Sequence, residues 1–488
     1  MPTALDHNTL HRTAKYFMDS GQAATHEAAV GLLQSFGLTV RLGAEVNSSP
    51  HHQAALLTLV NVARRTLLGG VEVVGPCDGP SISPLAPDRT LAQAVTQLGG
   101  RVVSAARPDW PAAAIGTVDH LDGAGPRWQL TWNGWRAGVI PVRDGRRLDE
   151  RTAIGIAPAL AAAVCAAEAF AFHAGDHPLA GRRATGLSLW HPGRDWQMAD
   201  PSEPQVAYLP SRLWVIGTGN LGQAFAWLLA CLPFRTRGQV ELVLHDFDRI
   251  APSNDSTSIL SFADDVGRHK ARCVSRWLED RGFTTVIEER RFGDHTRRAA
   301  GEPNVALCGV DNALARMSLE KAGFDLIVEA GLGAGPNAFR SISLHTFPAS
   351  RTAEQIWSRH VGQADTNFEG QPAYRTLRQK GMDACGLAQL ASRTVGVPFV
   401  GVVAGCLVVA ELLKRLNGGT PLEVASGSVA SLEDFECVPA AQSPYPGAFE
   451  AAEQPGGVTD DGNEPRSTEH TLYTGTSGAD PVRPELAS

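Results

Sequence analysis

Residues 213–230 read LWVIGTGNLGQAFAWLLA, an apolar strand that passes through Gly217, Gly219 and Gly222 into an apolar helix. Few folds accept that order. The first glycine of such a GxGxxG loop makes the tight turn, and the second lets the backbone approach phosphate oxygens. The third allows the helix to pack closely on the strand, while the helix N-terminus supplies partial positive charge. The stretch predicts a nucleotide-binding α/β unit, and by itself it does not separate a nicotinamide dinucleotide from ATP.

The surrounding pattern agrees. VELVLHD (240–246), TTVIEERRF (284–292), NVALCGVD (304–311) and DLIVEAGLG (325–333) read as strands alternating with helices such as 267–283. Strands that are apolar throughout imply a mostly parallel sheet covered on both faces. The chain divides near 200–210, where residues 191–212 are rich in proline and polar side chains and read as a linker. Before it, residues 1–200 form a second α/β domain without a glycine-rich loop. Its hairpin signal, WQLTWNGWRAGVIP, places the two-residue turn at Asn133-Gly134. The GVIP strand and the Ala-rich helix that follows (154–175) resemble the end of the second half, which suggests a degenerate copy of it; an unrelated α/β substrate-recognition domain is the alternative. Residues 201–440 are the second domain, and 441–488 read as a disordered tail.

Composition excludes several classes. A formal charge of −8 without a dense Lys/Arg run argues against a nucleic-acid partner. The eight cysteines form no CxxC pair, so neither a zinc ribbon nor a disulfide framework is expected, and a reducing cytoplasm suits them. The histidines show no ligand spacing. The N-terminus has no apolar core of a signal peptide. Residues 395–413 are nearly all apolar but contain Pro398 and Glu411, and they read as a buried helix rather than a membrane span.

Residues beyond the glycine loop separate ATP from a dinucleotide. Asp246 ends the next strand and suits a ribose, but Asp248, Asn254, Lys270 and Asp311 follow. Asparagine and lysine suit a triphosphate, and an acid at a strand end suits Mg²⁺. Together GTGNLG, HDFDRIAPSND, DVGRHKA and CGVDNALAR resemble the adenylation domain of the ThiF/MoeB and ubiquitin-activating enzyme superfamily. That resemblance covers 213–335 firmly and reaches loosely to 415. It implies a Rossmann-like domain in which Asp246 binds the ATP ribose, Asn254 and Lys270 contact phosphates, and Asp311 binds Mg²⁺. Arg316 would be supportive. The family usually carries an arginine three residues after the asparagine. Here that position is Thr257, so a phosphate contact is missing or comes from elsewhere, such as the other half.

The resemblance further implies a reaction: ATP-dependent adenylation of the C-terminal carboxylate of a ubiquitin-like protein, then capture by a cysteine thiol. Cys385 fits best, in the 348–390 segment before a helix, with Arg378 and Lys380 near it in sequence. Implied partners are that small protein, a conjugating enzyme and a JAB-type protease, with homodimerisation as in bacterial homologues and no membrane. Two alternatives stay open within adenylation: activation of a sulfur-carrier protein for cofactor synthesis, and modification of a short peptide. An NAD-dependent oxidoreductase would need a catalytic His, Tyr-x-x-x-Lys or Cys, and none is placed for it. A non-catalytic nucleotide-binding scaffold is the remaining alternative.

Overall fold

The computed structural model describes residues 6–151, 154–360 and 370–453. Seven strands of the first half make one sheet: β1 (Gly37–Leu42), β2 (Gly70–Val74), β3 (Arg101–Val102), β4 (Ala112–Ile115), β5 (Arg127–Asn133), β6 (Arg136–Pro141) and β7 (Thr185–Ser188). Their order is β3-β2-β1-β4-β5-β6-β7, parallel from β3 to β5 and antiparallel at β6 and β7. After the short β8 (Tyr208–Pro210), the second half builds its sheet from β9 (Arg212–Ile216), β10 (Glu241–His245), β11 (Thr284–Glu288), β12 (Val305–Cys308), β13 (Leu326–Leu332), β14 (Ser341–Phe347), β15 (Leu422–Ser428) and β16 (Ser431–Pro439). That order is β11-β10-β9-β12-β13-β14-β15-β16, again parallel through the fifth strand and antiparallel after it. The first sheet therefore repeats the order and direction of the second, strand for strand, through β7 and β15.

The helices repeat as well. Pro50–Ala63 joins β1 to β2 as Asn220–Ala230 joins β9 to β10, and Ala157–Ala174 precedes β7 as Pro398–Leu416 precedes β15. These four apolar helices pack on one another and join the halves into one unit. A Trp227 indole N–H donates to Thr58 across that join at 2.9 Å. Ala157–Ala174 is long and apolar enough to cross a membrane by length and composition, and here it is mostly buried in protein. In the Pro398 helix the buried Glu411 is held by Lys414 and Arg415, each at 2.9 Å, and accepts from the Leu422 amide at 2.8 Å. An acid tolerated inside an apolar helix is thereby explained.

Four boundaries differ from the sequence expectation. The hairpin turn falls on Gly134-Trp135, because Asn133 pairs with Arg136, and Gly134 supplies the positive φ of +58°. Residues 191–207 are not a free linker: His191 pairs with Asp200 at 2.7 Å, and the Trp190 indole donates to Ser202 at 3.0 Å. The chain past 440 is placed as far as 453, since β17 (Phe449–Ala451) pairs antiparallel with β8 and Ala452 is buried. The remainder of the expected tail lies outside the described residues. Finally, the N-terminal segment before β1 packs on the first half, where the Leu68 amide donates to Leu33 O at 2.9 Å, and also reaches the second half. Its Thr13 hydroxyl donates to Gly396 O at 2.9 Å, Tyr374 donates to Asp19 at 2.8 Å, and Glu27 pairs with Lys380 at 2.6 Å.

Candidate functional site

The three loop glycines have three different physical settings. Gly217 sits at φ +84°, which side chains disfavour, and an added Cβ there would meet Val310 at 2.9 Å. At Gly219 an added Cβ would meet nothing within 4 Å, so the loop faces open space at this point. At Gly222 it would lie 1.9 Å from Gly217 O, the close helix-on-strand contact that only glycine permits. Gly219 caps the Asn220–Ala230 helix without a side-chain acceptor, which leaves the first amides of the helix to an outside anion.

Asp246, buried at the end of β10, braces this loop. Its Oδ2 accepts from the Thr218 amide at 2.7 Å and hydroxyl at 3.0 Å, and its Oδ1 accepts from the Asp248 amide at 2.8 Å. The second acid takes a different partner. Asp248 Oδ2 binds Lys270 Nζ at 3.0 Å, and the Lys270 amide donates to Asp248 O at 2.9 Å, so the lysine is drawn to the strand end. Asn254 lies in the one-turn helix Pro252–Ser256; its Oδ1 accepts from the Ala251 amide at 2.8 Å, leaving the Nδ2 group as the donor for a ligand.

Asp311 follows β12, and Val310 beside it touches the glycine loop. It is exposed and has no hydrogen bond or ion pair among the described residues. Arg316 is buried below. It donates to Val310 O at 2.7 Å and Ala330 O at 3.1 Å, with its guanidinium 4.2 Å from the Trp357 ring. Arg316 therefore holds the loop that carries Asp311, the supportive role expected of it. The glycine loop, Asp246, Asp248, Lys270 and Asp311 form one connected cluster of loops at the C-terminal ends of the parallel strands, the place where such sheets bind ligands.

Sequence reasoning missed Arg12. Its amide donates to Ser256 at 3.0 Å, and a Cβ placed on Gly396 would touch both Arg12 Cβ at 3.0 Å and Thr257 Cγ2 at 2.3 Å. An arginine thus stands beside the threonine that lacks the family's arginine. Burial and then the neighbouring Arg393 push its guanidinium down to about 10, and its Nη2 donates to Thr394 O. Arg12 Nε is buried without a hydrogen-bond partner among the described residues. No local pattern around Arg12 announces this; a contact 244 residues away in sequence makes it.

Cys385 is the one exposed cysteine of the eight. It is the second residue of the helix Ala384–Ser392, whose cap Asp383 accepts from the Gly386 amide at 2.6 Å. Burial pushes Cys77 up to about 11 and Cys231 and Cys308 to about 12, and it also raises Cys165, Cys273, Cys406 and Cys437. One expected cation is otherwise engaged, since Lys380 is paired with Glu27. The Cys385 helix packs on the turn His7–Thr9, and that turn packs on Pro252–Ser256, so the N-terminal segment bridges the thiol helix and the Asn254 turn.

Known proteins place the chain. The family description BilD N-terminal domain matches residues 37–189, which span the first sheet, and BilD C-terminal domain matches residues 209–419, which take in the second sheet as far as β14. The bacterial E1-like protein BilD of Collimonas sp. (strain OK412) is 62% identical over 436 residues, covering 89% of this chain and 95% of that relative. Solved structures of E. coli MccB align more distantly. The complex with succinimide is 14% identical with a TM-score of 0.32, and the complex with ATP is 15% identical with a TM-score of 0.31. Each of those alignments covers 48% of this chain and 65% of the MccB chain. With both halves matched in order and a near full-length relative, the chain belongs to the BilD family of bacterial E1-like proteins.

Proposed function

We propose that the second half uses ATP and Mg²⁺ to adenylate the C-terminal carboxylate of a small ubiquitin-like protein, and that Cys385 then takes the acyl group as a thioester for a conjugating enzyme. The observation that carries this reading is the open Gly219 cradle braced by Asp246, with Asp311 exposed at the end of the neighbouring strand β12 and Arg12 beside Thr257. The E1-like name of the relative supports a small protein as the substrate.

The residues present suit both groups. The Gly219 loop and the first amides of its helix would bind phosphate oxygens. Asp246 keeps lone pairs beyond those used by Thr218 and Asp248, and these would accept from the ribose hydroxyls. Asn254 Nδ2, Lys270 and Arg12 would face the phosphates and reduce repulsion as a carboxylate approaches a triphosphate. Asp311 would hold Mg²⁺, a hard cation that commonly uses one or two carboxylates together with phosphate oxygens. The bound ion supplies charge neutralisation.

The carrier's carboxylate oxygen attacks the α-phosphorus, the bond from that phosphorus to the bridging oxygen breaks, and pyrophosphate leaves with the electron pair. The Cys385 thiolate then attacks the acyl carbon, the acyl C–O bond breaks, and AMP leaves; the thiol proton passes to solvent. The first half is the inactive copy in this reading. In its loop after β1, the Glu45 carboxylate accepts twice from the Thr117 amide at 3.0 Å and also from the Thr117 hydroxyl, which places a fixed negative charge where phosphates would bind.

The test is carrier-dependent exchange of labelled pyrophosphate into ATP, using small proteins encoded in the same operon. Exchange with one of them is the expected result; tight NAD binding with no exchange from any of them would sink the reading. Within that assay, Arg12→Ala should lower exchange by about 10- to 100-fold and Arg12→Lys by less, because the charge persists without the fork. Activity within about twofold of wild type in Arg12→Ala, against that expectation, would remove Arg12 from the site.

A further inference from the structure

Asp255 lies between Asn254 and Ser256, yet its side chain turns to the other half of the chain. Arg64, at the end of the Pro50–Ala63 helix, grips it with two nitrogens at 3.2 and 2.8 Å. Arg65 is fully buried and reaches Asp255 Oδ1 at 3.3 Å, Ser261 O at 3.0 Å, Ile259 O at 3.0 Å and the Asp255 carbonyl. Asn61, one turn earlier, donates to the same Ile259 O at 3.0 Å and accepts from Arg65 at 3.1 Å.

The lattice does not stop at residue 261. Gln223, on the helix that begins at the glycine loop, accepts from the Leu260 amide at 2.7 Å and donates to Ser261 Oγ at 2.9 Å. The same amide group donates to Thr218 O, in the middle of that loop, at 3.0 Å. A continuous hydrogen-bonded path thus runs from the first half's helix to the turn that carries Asn254 and to the loop that carries Gly219.

We propose that the first half serves the nucleotide site as a positioning partner, with Arg64 and Arg65 fixing the 252–261 stretch in the place that nucleotide binding requires. This rests on the adenylation reading above. Several of these bonds end on backbone carbonyls, so they set the path of the turn as well as joining two surfaces. A buried guanidinium with five donors can hold such a set, and an ammonium cannot match its fork.

The experiment measures binding of a non-hydrolysable ATP analogue to the full chain by calorimetry, with KM for ATP and for the carrier from exchange. Arg64→Ala should weaken analogue binding and raise KM for ATP by about 10-fold, the scale expected of a displaced binding group. KM for the carrier should hold, and Arg64→Lys should recover part of the loss. Asp255→Asn keeps the size of the side chain and should move the same constants the same way even if the arginine variant folds poorly. A lowered melting temperature with nucleotide affinity unchanged in both variants overturns the proposal and leaves adenylation standing. Wild-type protein that binds no analogue removes both.

Discussion

Replacing Asp311 with asparagine is expected to cut carrier-dependent pyrophosphate exchange by about 100-fold or more, with the melting temperature essentially unchanged. Both halves of that expectation come from one observation: the carboxylate is exposed and engages no partner among the described residues, so folding gains nothing from it. Its position is nevertheless fixed by neighbours. Val310 rests against Gly217, Arg316 holds Val310 O, and Asn312 caps the next helix by accepting from the Leu314 amide at 2.8 Å. A preorganised carboxylate without a structural task is what a metal-assisted phosphoryl site requires. Asparagine keeps the shape and removes the charge, so the apparent Mg²⁺ requirement should rise along with the loss of rate. An Asp311→Asn protein that exchanges at the wild-type rate would place the metal elsewhere and take the centre out of the mechanism.

What could be read in advance follows from how local each signal is. The strand, the three glycines and the helix are contiguous, and each glycine's purpose is set within a few residues, so LWVIGTGNLG was legible without a structure. Asp246 was expected to face a ribose, and its bonds to Thr218 give it a task that the sequence did not show, shaping the loop. Asp248 had no evident task until the Lys270 contact supplied one. Arg12 was invisible, because it reaches Ser256 and Thr257 by the fold of the N-terminal segment rather than by any repeat or spacing. The relation between the halves was legible only as element order. The first loop keeps Gly43 but has lost the glycine pattern, and strands such as β4 are apolar on both faces in either half, so neither carries a distinguishing sequence. Topology preserves what side chains have discarded.

The join between the halves also has a physical basis. A homodimer would bring a second copy to the first by association and would lose it on dilution, whereas here the second copy is covalently present and packs through four apolar helices. In the first half's loop, at the place that matches the glycine loop in element order, the Glu45 carboxylate accepts from the Thr117 amide. At the end of its first long helix, Arg64 and the buried Arg65 both reach Asp255.

The second large effect concerns the thiol. Cys385→Ala should abolish the thiol-sensitive adduct between the chain and its carrier, while carrier-dependent pyrophosphate exchange stays within about twofold of wild type, because only the second step uses the nucleophile. Seven cysteines are disfavoured by burial, which raises the cost of forming a thiolate at each of them. Cys385 is exposed, whereas Cys231 and Cys437 are half-buried and the other five are buried. Cys385→Ser sharpens the test: an oxygen ester formed there should survive a thiol reductant that releases the wild-type adduct. Because the Cys385 thiol is exposed on a helix that packs on the His7–Thr9 turn, its loss should leave nucleotide affinity untouched. An adduct that persists in Cys385→Ala would transfer the role to one of the covered thiols, and its formation would then require that part of the fold to open.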